Sequence, residues 1–252
     1  MFKRIFLDAF SLVFWNLETV FKTCGAWFAL QFVLALIANA LSPDPQNMTV
    51  AGAFANILIL IAAVLSWPSI AVAWHRFALF GEQPGMIHLR FGALEFRFLL
   101  KTIVIGLIAM VMFIPVGAFL VFVGGLSSNM FVPLIIGLLA ALFIGQFIMR
   151  FNLVLPATAV ERPIGFGEAF TLGEGLGLPM ILATLALSIP FVVISALLTL
   201  ALAYLGGGLP VILIQMKVLI LNLLLQIIIT VLGISVITAG YKAATERQDP
   251  TP

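Results

Sequence analysis

Charged residues are scarce in this sequence. Asp, Glu, Lys and Arg make up only 9% of its 252 residues, whereas hydrophobic residues make up 63%. A soluble domain carries roughly a quarter charged residues, because its surface must be solvated by water. With a mean hydropathy of +1.25, this chain cannot cover itself in that way. We therefore exclude a soluble globule and expect a protein surrounded mostly by lipid.

Cysteine and histidine are almost absent. The one cysteine, Cys24, excludes an intrachain disulfide, and we interpret it as a small packing residue in an apolar run. His75 and His88 have only Glu82 and Glu95 as neighbouring carboxylates, and this spacing matches no common zinc signature. The sequence thus predicts neither a metal site nor a cofactor.

The motifs of common enzyme classes are also missing. The sequence contains no G-x-S-x-G nucleophile elbow and no G-x-x-x-x-G-K phosphate loop. The glycines at 173–177, GEGLG, follow no predicted strand and open into an apolar run, which does not indicate a dinucleotide fold. A net charge of +2 without a dense basic run argues against nucleic acid as a partner. We predict a non-enzymatic protein without catalytic residues.

Long apolar runs dominate what is present. A helix of about 20 residues crosses a hydrocarbon core of about 30 Å, and polar turns separate six runs of this length. We predict an all-α, polytopic membrane protein formed by a single domain over 1–252, with a disordered tail at 242–252. The predicted spans are 23–41, 51–74, 98–123, 130–150, 178–205 and 211–241.

Amphipathic stretches precede some of these runs. Over residues 1–22 the polar positions fall on one helical stripe, which predicts a helix lying in the membrane interface; the alternative is that this stretch extends the first span. Two further short amphipathic helices are predicted at 88–97 and 166–176. The stripe of the helix predicted over residues 1–22 consists of Arg4, Asp8, Ser11, Trp15, Glu18 and Lys22.

A weak internal repeat relates these stretches. Phe10, Phe91 and Phe170 each end a similar short piece that contains a charged residue, and each piece precedes two spans. We interpret the chain as three parallel copies of a two-span unit, each starting with an interfacial amphipathic helix on the same side of the membrane.

The cations predict the orientation. The turns at 42–47, 124–129 and 206–210 contain no Lys or Arg, and nearly all basic residues fall on the opposite side of the six-span topology. Cytoplasmic loops carry such an excess, so we expect a multi-pass protein of the inner membrane with both termini in the cytoplasm. The basic residues on the predicted cytoplasmic side are Lys3, Arg4, Lys22, Arg76, Arg90, Arg97, Lys101, Arg150, Arg162, Lys242 and Arg247.

Two sets of residues are candidate sites. Arginine side chains form bidentate contacts with phosphates, so the cytoplasmic cations predict binding of lipid, anionic phospholipid above all; the alternative is that they only set the topology. Lys217 lies inside the last span with Gln215 nearby, and it either contacts a ligand within the membrane or snorkels to the headgroups. The cytoplasmic set is Arg76, Arg90, Arg97, Lys101, Arg150 and Arg162.

The stretch 150–177 resembles a known family. A basic residue, a Leu-Pro-Ala step, an acidic-basic pair and a Gly-x-x-Glu-Ala-Phe-like run are similar to the YciC-type membrane proteins and to the related membrane domain of some glycerophosphodiester phosphodiesterases. The resemblance implies a polytopic inner-membrane protein without a catalytic centre of its own. It is carried by Arg150, Leu155, Pro156, Ala157, Glu161, Arg162, Gly167, Glu168, Ala169 and Phe170.

Three functions are compatible with these features. The first hypothesis is a non-enzymatic membrane component that binds or organises lipid or assists membrane assembly. The second is a transporter of a small or lipid-like substrate, although no Asp, Glu or Arg lies in the middle of a predicted span. The third is an accessory subunit that packs against another membrane protein. The sequence does not distinguish among them.

Overall fold

The computed structural model describes residues 1–42, 49–126, 131–205 and 211–248. Within these ranges the chain is α-helical apart from turns and short non-helical segments, the longest at 81–92, and it contains no strand. The helices are α1 Phe2–Phe14, α2 Leu17–Leu41, α3 Val50–Phe80, α4 Ala93–Leu126, α5 Phe131–Phe151, α6 Val154–Ala159, α7 Phe166–Leu172, α8 Gly177–Leu205 and α9 Val211–Gln248.

Six helical segments in the described ranges are long and apolar enough to cross a membrane. Five of them are the single helices α2, α3, α4, α8 and α9. The remaining one combines α5 and α6. The prediction of an all-α, multi-pass membrane protein is therefore confirmed. Most of the turns at 42–47, 124–129 and 206–210 lies outside the described residues, as do the side chains of Gln215 and Lys217.

The spans pack as helical hairpins, α2 with α3, α4 with α5 and α8 with α9. Polar side chains join the first pair inside the membrane. The Trp27 indole donates a hydrogen bond to Ser69 Oγ at 2.9 Å, and Gln31 Nε2 donates to Ser66 Oγ at 3.0 Å. Such bonds satisfy polar groups that lipid cannot, which accounts for Gln31 in an otherwise apolar helix.

Buried residues concentrate at one end of the bundle, which we call the packed end. It comprises α1, α6, α7, the second halves of α3 and α9, and the first turns of α4 and α8. Its fully buried side chains include Trp74, Leu153, Met180 and Leu232. The far halves of α4, α5 and α8 expose large apolar side chains, as expected of surfaces that face lipid.

The first helix differs from its prediction. Asn16 leaves the helical conformation, with φ −128° and ψ 36°, and its Nδ2 donates to Leu12 O at 2.9 Å. The predicted stripe over 1–22 is therefore divided between α1 and α2. Ile5, Ala9 and Val13 are fully buried on the side of α1 that packs on α8 and α9. This side of α1 therefore belongs to the protein core, whereas the sequence predicted a helix lying in the membrane interface.

The predicted amphipathic helix at 88–97 is wrong. Gly81 ends α3 in the left-handed conformation, φ +73°, which glycine adopts at little cost, and the chain stays non-helical to Gly92. Helix α4 starts at Ala93 because Glu95 Oε2 accepts a hydrogen bond from the Gly92 backbone N–H at 2.8 Å, as an N-terminal capping carboxylate does.

Two other boundaries also differ. The third amphipathic helix, predicted at 166–176, ends at Leu172. The tail predicted to be disordered at 242–252 is helical as far as Gln248, and 249–252 lie outside the described residues. Helix α9 continues because its last turns make contacts: Glu246 pairs with Arg4, and Arg247 Nη1 donates to Glu174 O at 3.2 Å.

Candidate functional site

A polar cavity of about 580 Å³ opens at the packed end. We call it the rim cavity. It lies between the end of α3, the non-helical segment 81–92 and the first turns of α4. Its charged and imidazole lining groups are Arg76, Glu82, His88, Arg90, Glu95, Arg97 and Glu161. The structure thus brings three of the six predicted cytoplasmic cations to one place, together with three carboxylates that the sequence analysis did not assign to the site.

Arg76 is neutralised by carboxylates within the protein. Its Nε and Nη2 each lie 2.7 Å from a carboxylate oxygen of Glu82, and its Nη1 lies 3.3 Å from Glu161 Oε2 and 3.1 Å from Ala159 O. The two hydrogen bonds from Arg76 to Glu82 hold the pKa of the Glu82 carboxyl below its ordinary value. Because four of its five N–H donors are used, Arg76 connects α3 to the end of α6 and to Glu161, and its charge is neutralised within the protein.

Arg90 is held loosely on the other side of the cavity. Its Nε lies 3.8 Å from Glu95 Oε1, and its side chain is 75% exposed. The Glu95 carboxylate is itself buried and accepts the Gly92 backbone N–H. Glu95 therefore has a structural role at the start of α4, while the Arg90 guanidinium can contact another group.

Arg97 lies where the rim cavity meets a second cavity of about 470 Å³. Arg97 is exposed and forms no ion pair with any residue that the structure describes. Lys101, one turn further along α4, also lines the second cavity, and its Nζ donates a long bond of 3.4 Å to Ile164 O. The full lining of the second cavity is Leu94, Arg97, Leu100, Lys101, Thr158, Glu161 and Pro163.

His88 presents an unsatisfied atom beside these cations. Its imidazole lines the rim cavity, and its Nε2 is buried without a hydrogen-bond partner among the described residues. Burial lowers the pKa of His88 below its ordinary value of 6.5. The ring is therefore neutral at pH 7, and its acid–base behaviour depends on what fills the cavity.

Arg150 is positioned by packing and lines neither cavity. Its Nε donates to Phe170 O at 2.8 Å, and its guanidinium lies 3.6 Å from the centre of the Phe170 ring. Gly173 and Gly177 allow this arrangement, because a methyl group at Gly177 would collide with α5 and one at Gly173 would lie tightly against Arg150. These two glycines therefore serve close helix packing, whereas Gly175 adopts the left-handed conformation, φ +71°. Arg150 connects α5 to α7.

Arg162 also lies apart from both cavities. Its side chain is exposed and lies near the Tyr241 phenol. Its backbone N–H donates to Ala157 O at 2.9 Å. Of the six predicted cations, only Arg90, Arg97 and Lys101 both line a cavity and lack a close ion pair with a described residue.

The missed members of the site are carboxylates. Two of them, Glu82 and Glu161, neutralise Arg76, and the third, Glu95, caps α4. Only Glu95 could have been found from the local sequence, because it lies three residues after Gly92, the spacing of a capping carboxylate at the start of a helix. Across the described ranges, no group of three or more His, Cys, Asp and Glu side chains is arranged to hold a metal ion.

Comparison with known proteins identifies no relative. No protein-family model, no curated protein and no solved structure matches this chain. The resemblance to YciC-type membrane proteins stays a prediction, and the interpretation of the site depends on its own geometry.

Proposed function

We propose that this protein is a non-enzymatic inner-membrane component that binds anionic phospholipid through Arg90, Arg97 and Lys101. The observation that carries the proposal is the position of Arg97, an exposed cation that lines a polar and a partly apolar cavity at once. The predicted resemblance to YciC-type membrane proteins, which implies no catalytic centre, agrees with this role.

The surroundings of Arg97 suit the chemistry of a phospholipid. Leu94 and Leu100 line the second cavity, and the face of α4 beyond it exposes Val104 and Val111. A guanidinium followed by an apolar helix face offers a phosphate contact next to a path for acyl chains. Lys101, on the next turn of the same helix face, adds a second cation at the boundary between the two.

The number of cations without a close ion pair sets the expected preference of the site for anionic lipid. Each cation near an anionic lipid surface contributes about 1 kcal/mol, so three of them favour an anionic over a zwitterionic headgroup by about a hundredfold. Arg76 adds little to this preference, because Glu82 and Glu161 neutralise it. The site therefore depends on three cations rather than on the whole predicted set.

The proposed orientation places the packed end in the cytoplasm. Arg4 near the start of the chain pairs with Glu246 near its end, so both described chain ends lie at the packed end with the cavity cations. A one-sided excess of Lys and Arg marks the cytoplasmic side. The lipid involved would then be that of the inner leaflet, where anionic headgroups attract such cations.

The test compares two triple variants in lipid nanodiscs that contain equal amounts of phosphatidylglycerol and phosphatidylcholine. In the first, Arg90, Arg97 and Lys101 are changed to Gln; in the second, Lys3, Lys22 and Arg162 are changed to Gln. The second triple variant removes the same total charge, but from positions that line neither the rim cavity nor the second cavity. Native mass spectrometry then counts the lipids that each variant retains.

We expect the first variant to lose most of its preference for phosphatidylglycerol while the second keeps it. Equal retention of both lipids by the unmodified protein would overturn the proposal. Equal loss in the two variants would also overturn it, because the cations would then act only through total charge.

A further inference from the structure

A separate cavity of about 270 Å³ lies between α1, α3 and α9. We call it the α1–α9 cavity. It does not share a lining residue with the rim cavity or the second cavity. Its walls consist of Asp8, Ser11, Leu12, Trp15 and Asn16 from α1 and its end, Ala78 and Leu79 from α3, and Thr238, Ala239 and Lys242 from α9.

Two opposite charges line this cavity without pairing with each other. Helices α1 and α9 run antiparallel here, because Arg4 pairs with Glu246 while Asp8 and Lys242 line the cavity one turn further along. The Asp8 carboxylate has only a distant contact of 3.7 Å with Arg4 Nε. The exposed Lys242 ammonium forms no ion pair with any described residue.

The uncharged polar groups of the cavity are mostly satisfied from within. Ser11 Oγ donates to Asp8 O at 3.2 Å, and Asn16 Nδ2 donates to Leu12 O. Thr238 Oγ1 donates to Ile234 O at 2.9 Å and contacts His75 Nδ1. With these donors used, the charged groups left for a ligand are the Asp8 carboxylate on one wall and the Lys242 ammonium on the other.

An aromatic ring lies on the acidic wall. Asp8, Ser11 and Trp15 follow one face of α1 at helical spacing, and the Trp15 side chain is 84% exposed. An indole face attracts an alkylammonium group, more strongly where water is partly excluded. The carboxylate and the indole together form a wall suited to a cation, opposite a lysine suited to an anion.

We infer that the α1–α9 cavity binds a zwitterionic aminoalkyl phosphate, with the ammonium group at Asp8 and Trp15 and the phosphate at Lys242. A volume of about 270 Å³ is slightly below the range of about 300–1,000 Å³ for drug-sized ligands, so the cavity suits a small headgroup. The same chemistry occurs in a phosphatidylethanolamine headgroup and in free phosphoethanolamine. The inference does not depend on the proposed function, because it concerns other residues and another ligand charge.

The test uses the full chain in nanodiscs of phosphatidylethanolamine, phosphatidylcholine and phosphatidylglycerol in equal amounts. Asp8→Asn and Lys242→Met each remove one charge from the cavity. Matched controls are Glu174→Gln and Lys3→Met, which remove the same charges from exposed positions outside it. Native mass spectrometry counts the retained lipids, and a second series adds free phosphoethanolamine as a competitor.

We expect each cavity variant to retain about fivefold less phosphatidylethanolamine, the factor that corresponds to one lost headgroup contact. Both controls should behave like the unmodified protein, and phosphatidylglycerol retention should not change. Competition by micromolar phosphoethanolamine would identify the free solute as the ligand, and no competition would identify the lipid.

Two outcomes would overturn the inference. One is retention of phosphatidylethanolamine that is the same in the cavity variants and in the unmodified protein, with no binding of phosphoethanolamine to either. The other is a loss of thermal stability in both variants that is not additive in the double variant, without a change in lipid retention, because Asp8 and Lys242 would then form only an ion pair with each other.

Discussion

His75 Nδ1 and Thr238 Oγ1 lie 2.8 Å apart in the buried centre of the packed end. Next to them, Trp74 Nε1 donates to Ser235 Oγ at 2.7 Å. The Thr238 hydroxyl already donates to Ile234 O, so it accepts from His75, and the Nδ1 atom carries the proton. Two adjacent residues of α3 are thus hydrogen-bonded to one face of α9. This connection between the second and the last span holds the packed end together.

The first prediction concerns this connection. Thr238→Val preserves the shape of the side chain but leaves the buried His75 N–H without an acceptor. We expect the free energy of unfolding to fall by about 1–2 kcal/mol, above the average of about 0.6 kcal/mol for hydrogen bonds in membrane proteins, because a buried donor is left unsatisfied. Thr238→Ser keeps the acceptor and should cost much less. Unfolding in detergent measures both, and equal stability of the two variants would contradict the assignment.

The second prediction concerns close packing at Gly177. A methyl group at this position would overlap the backbone carbonyl oxygen of Gln146 in α5, and a backbone atom cannot rotate away. We expect Gly177→Ala to destabilise the protein by about 1–3 kcal/mol, as overpacking does. Gly106 in α4 has no atom within 4 Å of the corresponding position, so Gly106→Ala should not reduce stability. The comparison of the two melting temperatures in one detergent tests the interpretation.

Much of the architecture could be predicted from the sequence because lipid imposes simple rules. Apolar runs of bilayer length must be helices, and the six runs are six helical segments. Arg97 and Lys101 are four residues apart, a spacing that puts both on one face of a helix, and both line the second cavity; Arg90 does not share that face, because the chain is non-helical before Ala93. Local periodicity is sufficient for features of this kind.

Features that depend on distant contacts could not be predicted. Arg76 looked like one more free cation, but Glu161, after α6, takes a backbone conformation with φ 56° and reaches it from a distant part of the chain. The apolar side of α1 is compatible with contact to lipid or to protein. Ile5 lies in the core because α8 and α9 pack against this side of α1. Hydrophobicity alone does not distinguish a surface that faces lipid from one that faces protein.

The third prediction concerns pH. Burial lowers the pKa of His88 from its ordinary value of 6.5, so the folded protein resists the proton that the unfolded chain accepts. Stability should therefore be constant above about pH 6.5 and should decrease as the pH falls below it. The charged groups that share its cavity are Arg76, Glu82, Arg90, Glu95, Arg97 and Glu161.

Glu82 does not mask this effect. The pKa of Glu82 lies below 4.5, so its contribution to stability is lost only in more acidic solution. Melting temperatures between pH 8 and pH 5 should decline for the unmodified protein and decline less for His88→Gln, in which the buried His75 still accepts a proton only on unfolding. The same slope in both proteins would show that His88 does not titrate in this range.

The fourth prediction concerns topology. Helix α3 has 31 residues and spans about 46 Å at the helical rise, more than a hydrocarbon core of about 30 Å, so its ends reach water on opposite sides. Val50, at its start, is 90% exposed, and Gly85 lies in the segment after its end. With buried Cys24 changed to Ser, we expect Val50→Cys to react with a membrane-impermeant maleimide in intact cells. Gly85→Cys should react only in inside-out vesicles, and the reverse pattern would place the packed end, with both chain ends and the cavity cations, outside the cytoplasm.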